Sequence, residues 1–265
     1  MTMTRIEKRF AQLKAAGRKA FIPYITAGDP TLDLTRDLIL ALDGAGADVI
    51  ELGVPFSDPI ADGPVIQRAT ERALHNRVRL RDVLRVGAEI RRQSEIPLLL
   101  FSYYNPLLRY GLEKLARDAV DSGFDGVLAT DLTVEESADF IRIMRAAGLN
   151  TVFLAAPTSS PERIRKITAA CTGFVYAVSR TGVTGERNEL SATLRGFLQL
   201  LRRHTDSPIA VGFGISRPEH VKAVWEEADG AVVGSAIVRE IEQNTGRADL
   251  VDRVAAFTKW LRGEA

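Results

Sequence analysis

Eight short apolar runs recur along the 265-residue chain, and each leads into a longer stretch with the periodicity of an amphipathic helix. They are FIPYIT from residue 21, VIEL from 49, PLLLFSY from 97, GVLAT from 126, TVFLA from 151, FVYAVS from 174, PIAVG from 208 and GAVVG from 230. Runs this short read as strands buried on both faces, and a helix after each lets the next strand lie parallel to it. In VEESADFIRIMRAAG, for example, Phe140, Ile141, Met144 and Ala147 make one apolar stripe, and Gly148 stands where a C-cap belongs. Eight such units over about 250 residues fit a closed (β/α)8 TIM barrel. The charged, amphipathic MTMTRIEKRF ahead of the first run adds an N-terminal helix. An open doubly wound sheet is the alternative. GFGISR at 212–217 argues against it, since it lacks the last glycine of a dinucleotide fingerprint and falls late in the chain. No linker or shift of composition divides the sequence, so residues 1–265 are expected to form a single (β/α)8 barrel domain.

Charge and composition narrow the partners. Lys and Arg total 35 against 34 Asp and Glu, which leaves no broad cationic field for nucleic acid or an anionic membrane. No run approaches the roughly 18 apolar residues of a spanning helix. The lone Cys171, expected near the end of a helix in a structural role, fits a reducing compartment. A cytoplasmic protein acting on a small molecule or a protein partner is the expectation.

In a barrel of this kind the chemistry collects at the C-terminal ends of the strands. The reactive groups that fall there are Glu51 at the end of the second strand, Asp62 on the loop after it, Tyr103 and Asn105 after the third, Asp131 after the fourth, and Tyr176, Ser179 and Arg180 on and after the sixth. His75, His204 and His220 lie in helical segments without ligand-spaced neighbours, so no metal site is expected. None of the seven lysines falls at a strand end, which argues against a Schiff base. SRTGVTGER, GFGIS and VGSAIV follow the last three strands, and their glycines and the helix opening in GSAIVREI suggest a phosphate cradle built from backbone N–H groups. Glu51 beside Leu52, Gly53 and Val54 reads as a desolvated acid suited to proton transfer, with a salt-bridged glutamate as its structural alternative. Asp62 rides a stiff Gly- and Pro-rich loop, with an N-cap of the helix near Pro64 as its alternative. Asn105 reads as a shaper of the third loop and Asp131 as a cap of the fourth helix.

PYITAGDP (23–30), ELGVPFSDPIADGPVIQ (51–67), YNP (104–106), SRTGVTG (179–185), VGFGIS (211–216) and GSAIV (234–238) resemble, in order and spacing, the tryptophan synthase α subunit family. The resemblance covers nearly the whole chain, and the second motif is its most specific part. It implies a lyase of tryptophan biosynthesis that cleaves indole-3-glycerol phosphate to indole and glyceraldehyde 3-phosphate by acid–base catalysis. Such a chain carries no cofactor and works in an α2β2 heterotetramer whose β subunit holds pyridoxal phosphate. A stand-alone lyase releasing free indole and a non-catalytic allosteric subunit are the alternatives. By the same resemblance Glu51 and Asp62 are the catalytic pair, with Glu51 shuttling the proton and Asp62 accepting the indole N–H. Tyr24, Leu128, Tyr176 and Phe213 line the indole pocket. Gly185, Gly214, Gly234 and Ser235 hold the phosphate, Thr184 closes over the site, and Asp58 and Pro59 touch the β subunit. Thr133 and Tyr24 depart from the residues usual in the family, which bears on pocket polarity.

Overall fold

The computed structural model describes residues 3–178, 192–212 and 214–264. In chain order the elements are α1 Arg5–Ala15, β1 Ala20–Thr26, α2 Leu32–Gly44, β2 Ile50–Gly53, α3 Pro64–His75, α4 Leu80–Ile90, β3 Leu98–Ser102, α5 Tyr104–Tyr110, α6 Leu112–Asp121 and β4 Gly126–Ala129. There follow α7 Ala138–Ala146, β5 Asn150–Val152, β6 Leu154–Ala155, α8 Pro161–Ala170, β7 Val175–Val178, α9 Ala192–Arg202, β8 Ile209–Gly212, α10 Pro218–Glu227, β9 Gly230–Val233, α11 Ser235–Asn244 and α12 Leu250–Leu261. All paired strands are parallel, in the order β5-β4-β3-β2-β1-β9-β8-β7-β6. The two outer segments, β5 and β6, are one run of chain parted at Phe153, whose carbonyl still accepts the Tyr176 N–H at 3.3 Å. The ring therefore closes as a (β/α)8 barrel, and the nine segments are the eight expected strands.

Alternation along the strands builds two apolar layers. Ile22, Val49, Leu99, Leu128, Val152, Phe174, Ala210 and Val232 fill the barrel interior, while Phe21, Ile25, Ile50 and Leu98 pack outward against the helices. Because both faces are covered, the strands read as continuous apolar runs. In α7 the deeply buried side chains are Phe140, Ile143 and Met144; Ile141 and the C-cap Ala147 are half-buried against the same core, so the apolar face is centred nearer Ile143 than the sequence suggests, and Val134–Glu136 forms a separate 3₁₀ turn. His204 lies in the turn after α9, outside the helix. No helix among the described residues is long and apolar enough to cross a membrane.

The N-terminal helix closes the bottom of the barrel. Ile6, Phe10 and Leu13 recur at helical spacing on one face of α1 and join the interior cluster, with the Phe10 and Phe174 ring centroids 5.6 Å apart. A Thr4–Glu7 capping box starts the helix. Beneath the sheet a single device is used three times: Asp48, Asp125 and Asp229, each just ahead of a strand, accept the N–H of Phe21, Leu98 and Ile209, all at 2.9 Å. Arg9 and Arg5 of α1 pair with Asp48 and Asp125 at 3.3 and 3.1 Å. Phe10→Ala is expected to remove about 3–5 kcal/mol of stability, seen as a lower urea midpoint; an unchanged midpoint would mean that α1 contributes no packing.

Candidate active site

At the opposite end of the barrel, strand pairing sets Tyr24 beside Glu51 and Phe101 beside Leu128. Glu51 is 1% exposed, and neither of its carboxylate oxygens has a hydrogen-bond partner among the described residues. Burial alone pushes its carboxyl well above the usual carboxylate range. A salt-bridged structural glutamate would look different: it would have a cation within reach, and among the described residues Glu51 has none.

The loop after β2 places the second acid. Asp62 is half-buried and does not cap α3, whose N-cap is Gly63 with Pro64 at the first helical position. Gln67 of α3 pins the loop from below, its amide donating to the Asp62 carbonyl at 2.9 Å. Above it the Tyr103 hydroxyl accepts the Ala61 N–H at 2.9 Å. Burial pushes the Asp62 carboxyl up to about 6, and the Tyr103 hydroxyl acts in the opposite direction by favouring the ionised form. The two acids thus occupy unlike surroundings: one is buried and unpartnered among the described residues, the other half-buried and beside a phenol.

Two tyrosines lie within electrostatic reach of both acids. Tyr24 is pushed up by burial first, then by the charge of Asp62 and more weakly of Glu51. Tyr176 is pushed up by burial first, then by Glu51, with Tyr24 and Asp62 following. Each ring lies over a glycine on a neighbouring strand. A Cβ on Gly53 would sit 2.2 Å from the Tyr24 hydroxyl, and one on Gly212 would sit 2.4 Å from that of Tyr176. Tyr24 is further held by an edge-on contact with Phe101 (centroids 5.0 Å apart) and by a 3.3 Å hydrogen bond with the Thr26 hydroxyl. Gly53→Ala is therefore expected to displace the Tyr24 ring, costing about 1–3 kcal/mol of stability as overpacking does, together with turnover. Adding Tyr24→Leu relieves the collision, so the double variant should be more stable than the sum of the singles; strict additivity in a melting cycle would mean that the two side chains do not meet.

The phosphate candidates are also at this end. Gly234 is the N-cap of α11 and makes no side-chain cap, which leaves the first-turn N–H groups from Ser235 onward available as anion donors. A Cβ on Gly234 would lie 3.7 Å from the Tyr24 Cβ, so this helix opening borders the ring that neighbours Glu51. Gly214, after β8, has a φ of +68°, a left-handed conformation that suits glycine, with open space where a Cβ would be. Leu128 is fully buried in the interior layer. Asp58 is exposed, Pro59 is half-buried, and Ile60 beside them is 88% exposed. Thr184, Gly185 and Phe213, like Ser179 and Arg180, lie outside the described residues.

Some side chains hold this arrangement that motif reading passed over. Asp29, in the loop after β1, is buried and receives both Nε and Nη2 of Arg72 at 2.7 and 2.9 Å. Arg72 also donates to Glu242 at 2.8 Å, and Arg68 pairs with Glu242 at 2.7 Å. This network ties α3, which follows Asp62, to α11, which opens at Gly234. Asp131 caps a different helix from the one expected: its carboxylate accepts the Tyr104 N–H at the start of α5 at 2.6 Å, bridging the third and fourth loops. Asn105 lies exposed in the first turn of α5. Cys171 is the C-cap of α8, buried, with its thiol pushed up to about 12 by burial, as a structural cysteine should be.

The chain matches the family model described as tryptophan synthase alpha chain over residues 10–263. It is 56% identical over 260 residues to the tryptophan synthase alpha chain of Solibacter usitatus (strain Ellin6076), covering 98% of this chain and 97% of the relative. Among solved structures, tryptophan synthase subunit alpha from Legionella pneumophila str. Paris superposes with a TM-score of 0.92 at 38% identity, covering 99% of each chain. A chain from the tryptophan synthase α2β2 complex of Pyrococcus furiosus superposes with a TM-score of 0.87 at 44% identity, covering 92% of this chain and 98% of that one. With its buried glutamate, loop aspartate and glycine-lined helix opening on a closed barrel, the chain belongs to the tryptophan synthase alpha chain family.

Proposed function

We propose that this chain, as one barrel domain spanning residues 1–265, cleaves indole-3-glycerol phosphate to indole and glyceraldehyde 3-phosphate as the α subunit of tryptophan synthase. The observation that carries the reading is the pair of acids in unlike surroundings: Glu51 buried without a partner among the described residues and Asp62 half-buried beside Tyr103. The reaction needs that asymmetry. A neutral Glu51 gives its proton to C3 of the indole ring, making an indolenine cation. The bond from C3 to the side chain then breaks, its electron pair returns to the ring, and the side-chain hydroxyl becomes the aldehyde. The hydroxyl proton passes to the Glu51 carboxylate, which restores the starting acid. Asp62 stays ionised, accepts the ring N–H and stabilises the cation while it lasts.

Tyr24, Leu128 and Tyr176, with Phe213, enclose the ring in this reading. Gly214, Gly234 and Ser235, with Gly185, take the phosphate, and Thr184 closes over the bound substrate. Three or four amide hydrogen bonds to a charged oxygen, each worth roughly 1.5–3 kcal/mol, hold a phosphate monoester without a lysine. Asp58 and Pro59 contact the β subunit of an α2β2 assembly in the cytoplasm, with pyridoxal phosphate in the β subunit. Ile60, 88% exposed on the same loop, supports the partnered reading over a stand-alone lyase, because a large apolar side chain on a functional loop suits a contact surface. The test is to mix the purified chain with indole-3-glycerol phosphate and assay indole with and without a cognate β subunit. Indole formed slowly alone and faster with the β subunit is expected; no indole in either mixture would overturn the reading.

A further inference from the structure

A cavity of about 240 Å³ opens on the outer surface between α10, α11 and α12. One wall is an aromatic shelf: the Phe257 and Trp260 rings stack with centroids 5.4 Å apart and planes inclined by 27°, and Trp260 is 41% exposed. Arg217, the N-cap of α10, and Arg239 on α11 border the same space. Neither guanidinium has an ion-pair or hydrogen-bond partner among the described residues, unlike Arg68, Arg72, Arg247 and Arg253 on the neighbouring elements. Among the described residues Glu240 is the one carboxylate lining the cavity, and its Oε1 accepts the Asn244 amide at 2.9 Å. Two guanidiniums against one carboxylate leave a single unit of positive charge beside a flat apolar surface.

We propose that this cavity is a binding site for a small planar aromatic monocarboxylate. A guanidinium fork matches a carboxylate in geometry and charge, and an indole face accepts a second ring by offset stacking. The volume is below the roughly 300–1,000 Å³ of drug-sized sites, which limits the ligand to about one ring system and its acid group. The cavity is separate from the barrel mouth but shares its walls. Ser216 closes the segment that begins at Gly214, and Ala236 stands in the first turn of α11 behind Gly234 and Ser235. An occupant would therefore bear on both phosphate-binding candidates from outside.

The experiment uses benzoate as the probe and Trp260 as the reporter. The chain has two tryptophans, and Trp225 is engaged elsewhere through its indole N–H to the Ala20 carbonyl at 2.9 Å, so Trp225→Phe leaves Trp260 as the sole indole. Benzoate is expected to change Trp260 emission saturably. Benzyl alcohol, which keeps the ring without the charge, and acetate, which keeps the charge without the ring, should each bind about ten-fold more weakly. Arg217→Gln and Arg239→Gln, both exposed and with melting curves verified as unchanged, should each weaken benzoate by about the same factor. No saturable change, equal affinity for benzyl alcohol, or unaltered benzoate affinity in either arginine variant would overturn the proposal. The outcome does not depend on whether the chain cleaves indole-3-glycerol phosphate.

Discussion

Glu51→Gln is expected to lower indole formation by about 10²–10⁴-fold while leaving the affinity for an unreactive phosphate-bearing substrate analogue unchanged. The amide keeps the shape and the burial of the side chain but has no acidic proton to give to C3 and no base to take one from the hydroxyl. In the proposed reading the phosphate and ring contacts come from other residues, so binding should survive. Glu51→Asp should fail nearly as badly, since withdrawing the carboxyl by about 1 Å can cost about 100-fold. Stability should move the other way. Below the ordinary value of 4.5, folded and unfolded chains both hold the Glu51 proton. As pH rises above it, the unfolded chain loses a proton that the native chain keeps, so wild-type stability falls with pH until the native group titrates. Glu51→Gln removes that slope, and urea unfolding across neutral and alkaline pH should find the variant more resistant than the parent. Normal turnover by Glu51→Gln would remove this residue from the chemistry.

Asp62→Asn should cost about 10²–10³-fold in kcat, the scale for losing one preorganised charge-stabilising group, with a smaller effect on phosphate affinity. An asparagine carbonyl can still accept the ring N–H, but it carries no charge to stabilise the indolenine cation. Because the Asp62 carboxyl is pushed up to about 6, kcat/KM for the parent should fall as pH drops through that value and the carboxylate is lost. The phenol of Tyr103 favours the ionised form, so Tyr103→Phe should move this acid limb to higher pH. A profile flat through pH 6, or equal losses in kcat and phosphate affinity for Asp62→Asn, would give Asp62 a structural role instead.

The barrel and its two acids were legible because their signals are local. Each strand is a short apolar run, each helix has its own period, and Glu51 and Asp62 sit in one continuous motif. The groups that hold the site together were not legible, because their partners are distant in sequence. Asp29 and Arg72 are 43 residues apart, and Arg72 and Glu242 are 170 apart, so no periodicity joins them. The same holds for Asp48, Asp125 and Asp229, which pin the starts of adjoining strands 27, 27 and 20 residues away. Asp131 follows its own strand as a cap of the next helix would, but its carboxylate accepts the Tyr104 N–H of the neighbouring loop, 27 residues away. In α7 the buried set Phe140, Ile143 and Met144 follows i, i+3, i+4 spacing, and Ile143 belongs to the face in place of Ile141.

Glu51 is expected to stay protonated at neutral pH while Asp62, which faces the same two tyrosines, is ionised. The most direct measurement is an infrared difference spectrum between the parent chain and Glu51→Gln, recorded at neutral pH on protein labelled with carbon-13 at the glutamate carboxyl. The account predicts an isotope-shifted band of a protonated carboxyl in the parent that is missing from the variant. A difference spectrum showing only a carboxylate at that position would contradict it.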